Sequence, residues 1–321
     1  MKAIRIEKTG GPEAMQLVSA EVGDPALGQV RIRHTAIGVN FIDTYHRSGL
    51  YPMALPSGLG VEAAGLVEAA GEGVTHVKAG DRIVYFTNVP GAYATHRLLD
   101  ARWAVRLPEG VSDEQAAALW LKACTVESLV ERCARVKAGD TVLVQAAAGG
   151  VGVLLCQWLK SVGATVIGTV GSPEKRGIAE AAGADHVLSY ADVPARVREL
   201  TAGEGVSVVI DGVGKTSFEP SLDSLRRRGL MIGYGNASGV VGQVDFAVLA
   251  RKGSLFATRP TLFDYYATPQ DFAAGTAAVF AKIKAGVLKA HIGQTFPLVD
   301  AVRCHHALEA RQTVGSSLLI P

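Results

Sequence analysis

The chain has 321 residues, 48% hydrophobic and 19% charged, long enough for two folded domains and too apolar for a disordered chain. Its 32 basic and 30 acidic residues leave a net charge of only +2, which speaks against a dedicated nucleic-acid or membrane-surface binder. Every long apolar stretch is broken by glycine or charge before bilayer length, and the start, MKAIRIEKTGGPE, has no apolar h-region. No membrane span and no signal peptide is expected, and the chain reads as cytoplasmic. Cys124, Cys133, Cys156 and Cys304 form no C-x-x-C pair, as suits reduced thiols.

Over the first hundred residues, short β-like runs alternate with Gly/Pro turns: KAIRIE, QVRIRHTAIGV, AAGLVEAAG, DRIVYF and YATHRLL. That rhythm predicts a small, mostly β, barrel-like domain. The helix SDEQAAALWLKA follows, where Ser112 and Gln115 make a capping-box pattern. From about residue 139 the pattern becomes strand, turn, helix, repeated: TVLVQA before VGVLLCQWLKSVG, TVIGTV before SPEKRGIAEAAG, DHVLSY before DVPARVRELT, SVVIDGV before SFEPSLDSLRRRG, then LMIGYG and SLFATRP. Six near-continuous apolar strands with intervening helices predict an α/β, doubly wound parallel sheet covered on both faces. Arg226, Arg227 and Arg228 read as the end of a helix capped by Gly229. After Pro260 come PQDFAAGTAAVFAKIKAG, LVDAVRCHHALEAR and the strand SSLLIP, and there the chain is expected to return to its first domain. His305 and His306 are adjacent, so on a helix they point apart and read as surface or interface residues.

The run TVLVQAAAGGVG carries the first chemistry. Ala147, Gly149 and Gly152 occupy the three positions of G-x-G-x-x-G, with alanine in the first. Small residues allow a tight turn and let backbone amides approach a pyrophosphate, which the helix N-terminus attracts. Ala148, Gly150 and Val151 complete the cradle. A glycine turn in an α/β domain with no ligand would look alike locally, but the strand before it and the helix after it favour a dinucleotide. Roughly 20 residues on, where a ribose-binding acid is expected, the chain has Gly171, Ser172 and Lys175. Ser172 reads as an N-cap and Pro173 as the first helical residue, which puts Lys175 in the first helical turn, disfavoured by the helix dipole. A bound anion would reverse that penalty, and the 2′-phosphate of NADP fits; the alternative is a lysine reaching to solvent. Tyr190, after the third strand, stands ready to stack or hydrogen-bond nearby.

Together with GGPEAMQL, AIGVNFIDTYHRSGLYP, LPSGLGVEAAG, VKAGDRIVY, RRGLMIGYGNASG, GSLFATRP and GSSLLIP, this motif resembles the zinc-free medium-chain dehydrogenase/reductases, the zeta-crystallin-like NADPH:quinone oxidoreductases, over the whole chain. The resemblance implies a GroES-like catalytic domain at 1–122 and 261–321, a Rossmann NADP-binding domain at 123–260, and a homodimer formed through the edge strand at 253–260. It implies NADPH as cofactor, with Gly214, Tyr234, Gly235, Arg259 and Arg311 as further contacts. It also puts Asn40, Tyr45 and Thr125 at the nicotinamide or the acceptor's oxygen, with Tyr51 either a wall or ordinary packing.

Zinc-dependent relatives carry a Gly-His-Glu turn and an early cysteine ligand. Here the turn is Gly60, Val61, Glu62, and Asn40 stands in the cysteine's place, so these positions cannot supply a zinc site. Glu62 is expected to hydrogen-bond backbone. Two further departures are Gln145, where relatives often have histidine, and Cys124, which would border the nicotinamide pocket. The expected reaction is NADPH-dependent reduction of quinones, which are electron-poor and need no strong Lewis acid. The same site could reduce activated C=C bonds of enals and enones. A crystallin-like or RNA-binding role is the distant alternative, with a basic triplet as its only support.

Overall fold

The computed structural model describes residues 1–191 and 193–321; Asp192, which opens the expected helix DVPARVRELT, lies outside them, and a helix Val193–Leu200 follows. The chain forms two compact units, Met1–Leu121 with Ala290–Pro321, and Lys122–Lys289. The chain therefore returns to its first unit at Ala290 and not after Pro260. Hydrogen bonds keep 261–289 in the second unit. Arg132 donates to the Tyr265 and Asp271 carbonyls at 2.9 and 3.0 Å, and Lys282 to Ser161 Oγ at 2.8 Å. Tyr266 also packs so closely on Gly275 that a Cβ there would lie 2.3 Å from its hydroxyl.

In the first unit, the long strand Gln29–Val39 pairs antiparallel with Glu62–Ala70, His96–Asp100 and Ser316–Ile320. Its alternate apolar residues Val30, Ile32 and Ala36 are fully buried, and from Ala36 to Val39 every residue of the strand is buried. Seven strands make this sheet, and three more, Gln16–Ser19, Lys2–Ile6 and Ser57–Gly58, make a second. The helix Asp113–Glu127 begins with the predicted capping box: Gln115 N–H donates to Ser112 Oγ, and Ser112 N–H to Gln115 Oε1, both at 3.1 Å.

In the second unit, six strands lie parallel. In chain order they are Thr141–Val144, Thr165–Val170, His186–Ser189, Val206–Asp211, Leu225–Gly233 and Phe256–Thr258. Counted so, their spatial order is 3-2-1-4-5-6, the doubly wound arrangement the sequence predicts. One face buries Leu143, Ile167, Val209 and Met231 under helix residues Val193, Val197 and Leu222. Arg226, Arg227 and Arg228 correct the sequence reading, because the helix ends at Ser224 and the triplet lies exposed in the next strand. A bulge accommodates it: Val206 faces Leu225 and Val208 faces Leu230, with Arg228 at φ 58°.

Burial lowers the pKa of two histidines of the first unit far below the ordinary value. His34 lies between the Ala94 carbonyl (Nδ1, 2.7 Å) and the Tyr85 hydroxyl (Nε2, 2.9 Å), and burial lowers its pKa from 6.5 to about 3. His305 is also fully buried, against the expectation of a surface residue, because helix Ala301–Glu309 docks its Cys304 and His305 inward while His306 stays out. Burial and the neighbouring Arg47 lower its pKa to about 3. A histidine whose folded pKa is depressed stabilises the fold fully above its unfolded pKa and loses that contribution as the pH falls through the window from 6.5 to 3. Stability should fall across that window by up to about 1.4 kcal/mol per pH unit for each histidine. Denaturant unfolding at several pH values reads the slope, and a His34→Gln variant should flatten it. A slope unchanged by that variant would mean that His34 takes its proton in the folded chain.

Candidate active site

The glycine turn lies at the C-terminal end of strand Thr141–Val144, beside the place where strand order reverses. Ala146 adopts a left-handed φ of 57°. Ala147 N–H donates to the Thr169 carbonyl at 2.8 Å, and Gly149 N–H to the Ala146 carbonyl at 2.9 Å. Ala147 and Ala148 are buried. Helix Gly150–Val162 starts directly on this turn: a Cβ on Gly152 would stand 2.2 Å from the Ala146 carbonyl oxygen, so no larger residue fits. Gly149 caps the helix without a side-chain bond, and the first turn has no acidic residue. The amides of Gly150, Val151 and Gly152 thus present the positive end of a 13-residue helix dipole, which suits an anion.

At the end of the neighbouring strand Thr165–Val170, Gly171 is exposed and the Tyr190 ring lies beside it, 3.8 Å from where a Cβ on Gly171 would stand. The turn after it departs from the sequence reading. Residues Pro173–Lys175 form a 3-10 turn and the α-helix proper, Arg176–Ala181, begins after Lys175. Ser172 occupies the N-cap position without a side-chain cap bond; its hydroxyl bonds Glu174 instead, which lowers the pKa of that carboxyl. Lys175 therefore does not stand in the first turn of a regular α-helix, and the dipole conflict read from the sequence does not arise.

At the fourth strand's end, Asp211 is fully buried and accepts the amides of Val213 and Gly214 at 2.7 and 3.2 Å and the Ser217 hydroxyl at 2.6 Å. Tyr234 packs on Gly212, where a Cβ would be 2.7 Å from its hydroxyl, and a Cβ on Gly235 would be 2.3 Å from the Gly212 carbonyl oxygen. Arg259 is exposed and donates to the carbonyls of Gly233 and Gly235 at 3.1 and 2.8 Å. Thr125 is half-buried in helix Asp113–Glu127, just before the chain widens into the π-helix Ser128–Ala134. Beside it, Cys124 is fully buried; burial first, and then Cys124 and Glu127, raise the Tyr266 pKa. Arg311 belongs to the other unit, past the end of helix Ala301–Glu309, at φ 59°.

Asn40 and Tyr45 lie in the first unit. Asn40 N-caps helix Phe41–Ser48 and is held by both its backbone and its side chain. Its backbone N–H donates to Asp43 Oδ2 at 2.9 Å and its side-chain Nδ2 to Glu62 Oε2 at 2.8 Å. The other oxygen of Glu62 accepts the backbone N–H of Leu121 at 2.5 Å, as the sequence reading expects of Glu62. Gly38 makes room for that carboxylate, since a Cβ there would stand 2.3 Å from Glu62 Oε2. Behind Asp43 runs a buried chain that spacing does not reveal. The Tyr93 hydroxyl donates to Asp43 (2.9 Å), His305 Nε2 meets the same hydroxyl (3.0 Å), and Arg47 donates to His305 Nδ1 (3.1 Å) and to Glu309 (2.6 and 3.1 Å). Arginine only donates, so His305 carries its proton on Nε2. Burial and Asp43 push the Tyr93 phenol well up. Tyr45 is nearly buried and packs edge-on against Tyr51, ring centroids 5.2 Å apart. Among the described residues no three His, Cys, Asp or Glu side chains gather as a metal site. An amide at 40, a buried alkyl at 61 and a doubly engaged Glu62 do not fit one.

A six-stranded 3-2-1-4-5-6 sheet with a glycine turn, carried with a mostly β unit, defines a two-domain protein of the doubly wound, dinucleotide-binding fold class. Residues 26–109 match the alcohol dehydrogenase GroES-like domain family and residues 150–271 the zinc-binding dehydrogenase family. The chain is 48% identical to Escherichia coli (strain K12) quinone oxidoreductase 1 over 99% of its own length and 100% of that protein's. It is 42% identical to a Burkholderia 2-haloacrylate reductase, with 98% of each covered. The crystal structure of Escherichia coli quinone oxidoreductase complexed with NADPH superposes with a TM-score of 0.98 at 47% identity, over 100% of both chains. The chain belongs to the quinone oxidoreductase family of medium-chain dehydrogenases/reductases.

Proposed function

We propose that this chain is an NADPH-dependent quinone reductase that works without a catalytic metal. The full-length 48% identity to a quinone oxidoreductase carries the reading, and the amide cradle at the glycine turn supports the cofactor. NADPH, when bound, supplies a hydride. The amides of Gly150, Val151 and Gly152 hold the pyrophosphate above the small residues Ala147, Ala148 and Gly149, and Gly171, Ser172 and Lys175 receive the 2′-phosphate beside Tyr190. Gly214, Tyr234, Gly235, Arg259 and Arg311 hold the rest of the dinucleotide. Asn40, Tyr45 and Thr125 orient the nicotinamide and the acceptor's oxygen. Preset dipoles of this kind stabilise charge as it develops without reorganising. Quinone reduction asks little more, because the charge spreads through the ring.

The 2-haloacrylate reductase match favours a second reading, reduction of an activated C=C bond. We also infer a homodimer through strand Phe256–Thr258. That strand ends the sheet with all three residues exposed, Phe256 at 61%, and an apolar open edge invites pairing with a second copy. No helix among the described residues is long and apolar enough to cross a membrane, and we place the enzyme in the cytoplasm. Arg226, Arg227 and Arg228 alone make too little basic surface for us to propose a nucleic-acid partner.

Steady-state rates with NADPH on a quinone, an enone and a simple ketone test the reaction. The quinone should be fastest and the ketone slowest, since a ketone needs the several kcal/mol that a Lewis acid lends its alkoxide. Fastest turnover on the enone would transfer the assignment to the double-bond reductase, and on the ketone would overturn both; in the same assay Tyr45→Phe should slow the quinone reaction. Lys175→Ala should weaken NADPH binding about ten- to a hundredfold, the worth of a charge-assisted hydrogen bond, and spare NADH; equal losses would make Lys175 structural. Light scattering should give the mass of two chains, and Phe256→Lys should give one. A monomeric parent chain would refute the interface.

A further inference from the structure

Beneath the glycine turn, polar side chains form one directed hydrogen-bonded chain. Ala146 N–H donates to Thr169 Oγ1 at 3.1 Å, and the Thr169 hydroxyl donates to Gln145 Oε1 at 2.6 Å. Gln145 Nε2 donates to Ser221 Oγ at 3.0 Å, and Ser221 donates to Asp211 Oδ2 at 3.0 Å. Gln145, Thr169, Asp211 and Ser221 are all 0% exposed, so water cannot replace a lost partner. The direction is forced. A backbone N–H can only donate and a carboxylate only accept, so each proton between them has one place.

The chain joins the C-terminal ends of three neighbouring strands, Thr165–Val170, Thr141–Val144 and Val206–Asp211. It ends on Asp211, whose other oxygen accepts the amides of Val213 and Gly214. At its head it holds Ala146 at φ 57°, a conformation disfavoured for any residue with a Cβ. The Ala146 carbonyl in turn accepts Gly149 N–H and crowds Gly152, so the left-handed residue sets where the helix begins.

We propose that Gln145, Thr169 and Ser221 are positioning residues for the dinucleotide, an internal strut that presets three cofactor-facing turns from below. The proposal rests on the NADPH reading. None of the three need touch the cofactor. Their effect is to order the amide cradle in the free protein, so that binding does not have to order it. The strut also gives Gln145 a role: its amide both accepts and donates, which an aliphatic side chain of the same size cannot do.

Fluorescence titration with NADPH, run beside denaturant unfolding, tests this. Thr169→Val removes the hydroxyl and Gln145→Met the amide, and each should raise the NADPH Kd about tenfold, the factor for one net hydrogen bond. Thr169→Ser keeps the hydroxyl and should bind as the parent does. The double variant Thr169→Val/Gln145→Met should bind about as weakly as either single, because both break one chain. Hydrogen exchange of the cofactor-free protein gives a second readout. The amides of 146–149 should exchange faster in Thr169→Val, while those of helix 269–284 should not. If Thr169→Val does not fold, Ser221→Ala, which cuts the chain nearer the carboxylate, carries the same two expectations. Folded variants with the parent's Kd and exchange, or a Thr169→Ser as damaged as Thr169→Val, would overturn the strut alone. A parent chain that does not bind NADPH would overturn the cofactor reading and the strut with it.

Discussion

A carboxylate removed from water must be met by donors or it destabilises the fold by several kcal/mol. Each unit fully buries such a group beside its candidate site residues. In the first, Glu62 is fully buried and accepts the side chain of Asn40 and the backbone of Leu121. In the second, Asp211 is fully buried and accepts two amides and two hydroxyls. Neither can shift without leaving charge unpaired, so the residues they grip are held to a narrow geometry. Asn40 is one of these, and the turn after Asp211 is another.

The glycines follow from the same tight geometry. Gly38 lies where a side chain would collide with Glu62, and Gly152 where one would collide with the Ala146 carbonyl. Each marks a point where backbone must approach a polar group more closely than a Cβ allows. Around Asn40 the second requirement is orientation. The Arg47, His305, Tyr93 and Asp43 chain gives every proton a single place and ties helix Ala301–Glu309 to helix Phe41–Ser48. Where zinc-dependent relatives would gather metal ligands, this chain gathers hydrogen bonds.

Much of this was legible in the sequence, and the exceptions share a cause. The capping box at Ser112 and the six apolar strands are local patterns, and both stand in the structure where they are read. Ser224 ends a helix whose continuation through Arg226 has good local propensity. Pairing with Val206 and a bulge at Arg228 override it, because a sheet position repays more than a solvated turn of helix. His305 reads as a surface residue because its partners, Arg47 and Tyr93, lie more than two hundred residues away. Residues 261–289 read as part of the returning chain because no motif announces that Arg132 and Ser161 hold them.

Sequence alone determined the class of each half, since hydrophobic period, turn chemistry and the spacing of small residues act over a few residues at a time. It also determined the chemistry available at the old ligand positions, because an amide at 40 and an alkyl at 61 keep that character in any fold. Tertiary structure alone decided which polar groups are buried and whom they meet. Gln145, Thr169, Ser221 and Asp211 are ordinary residues in four separate segments until three strands lie side by side and exclude water from between them. A hydrogen bond between distant residues leaves no local period, so only the folded chain could reveal it.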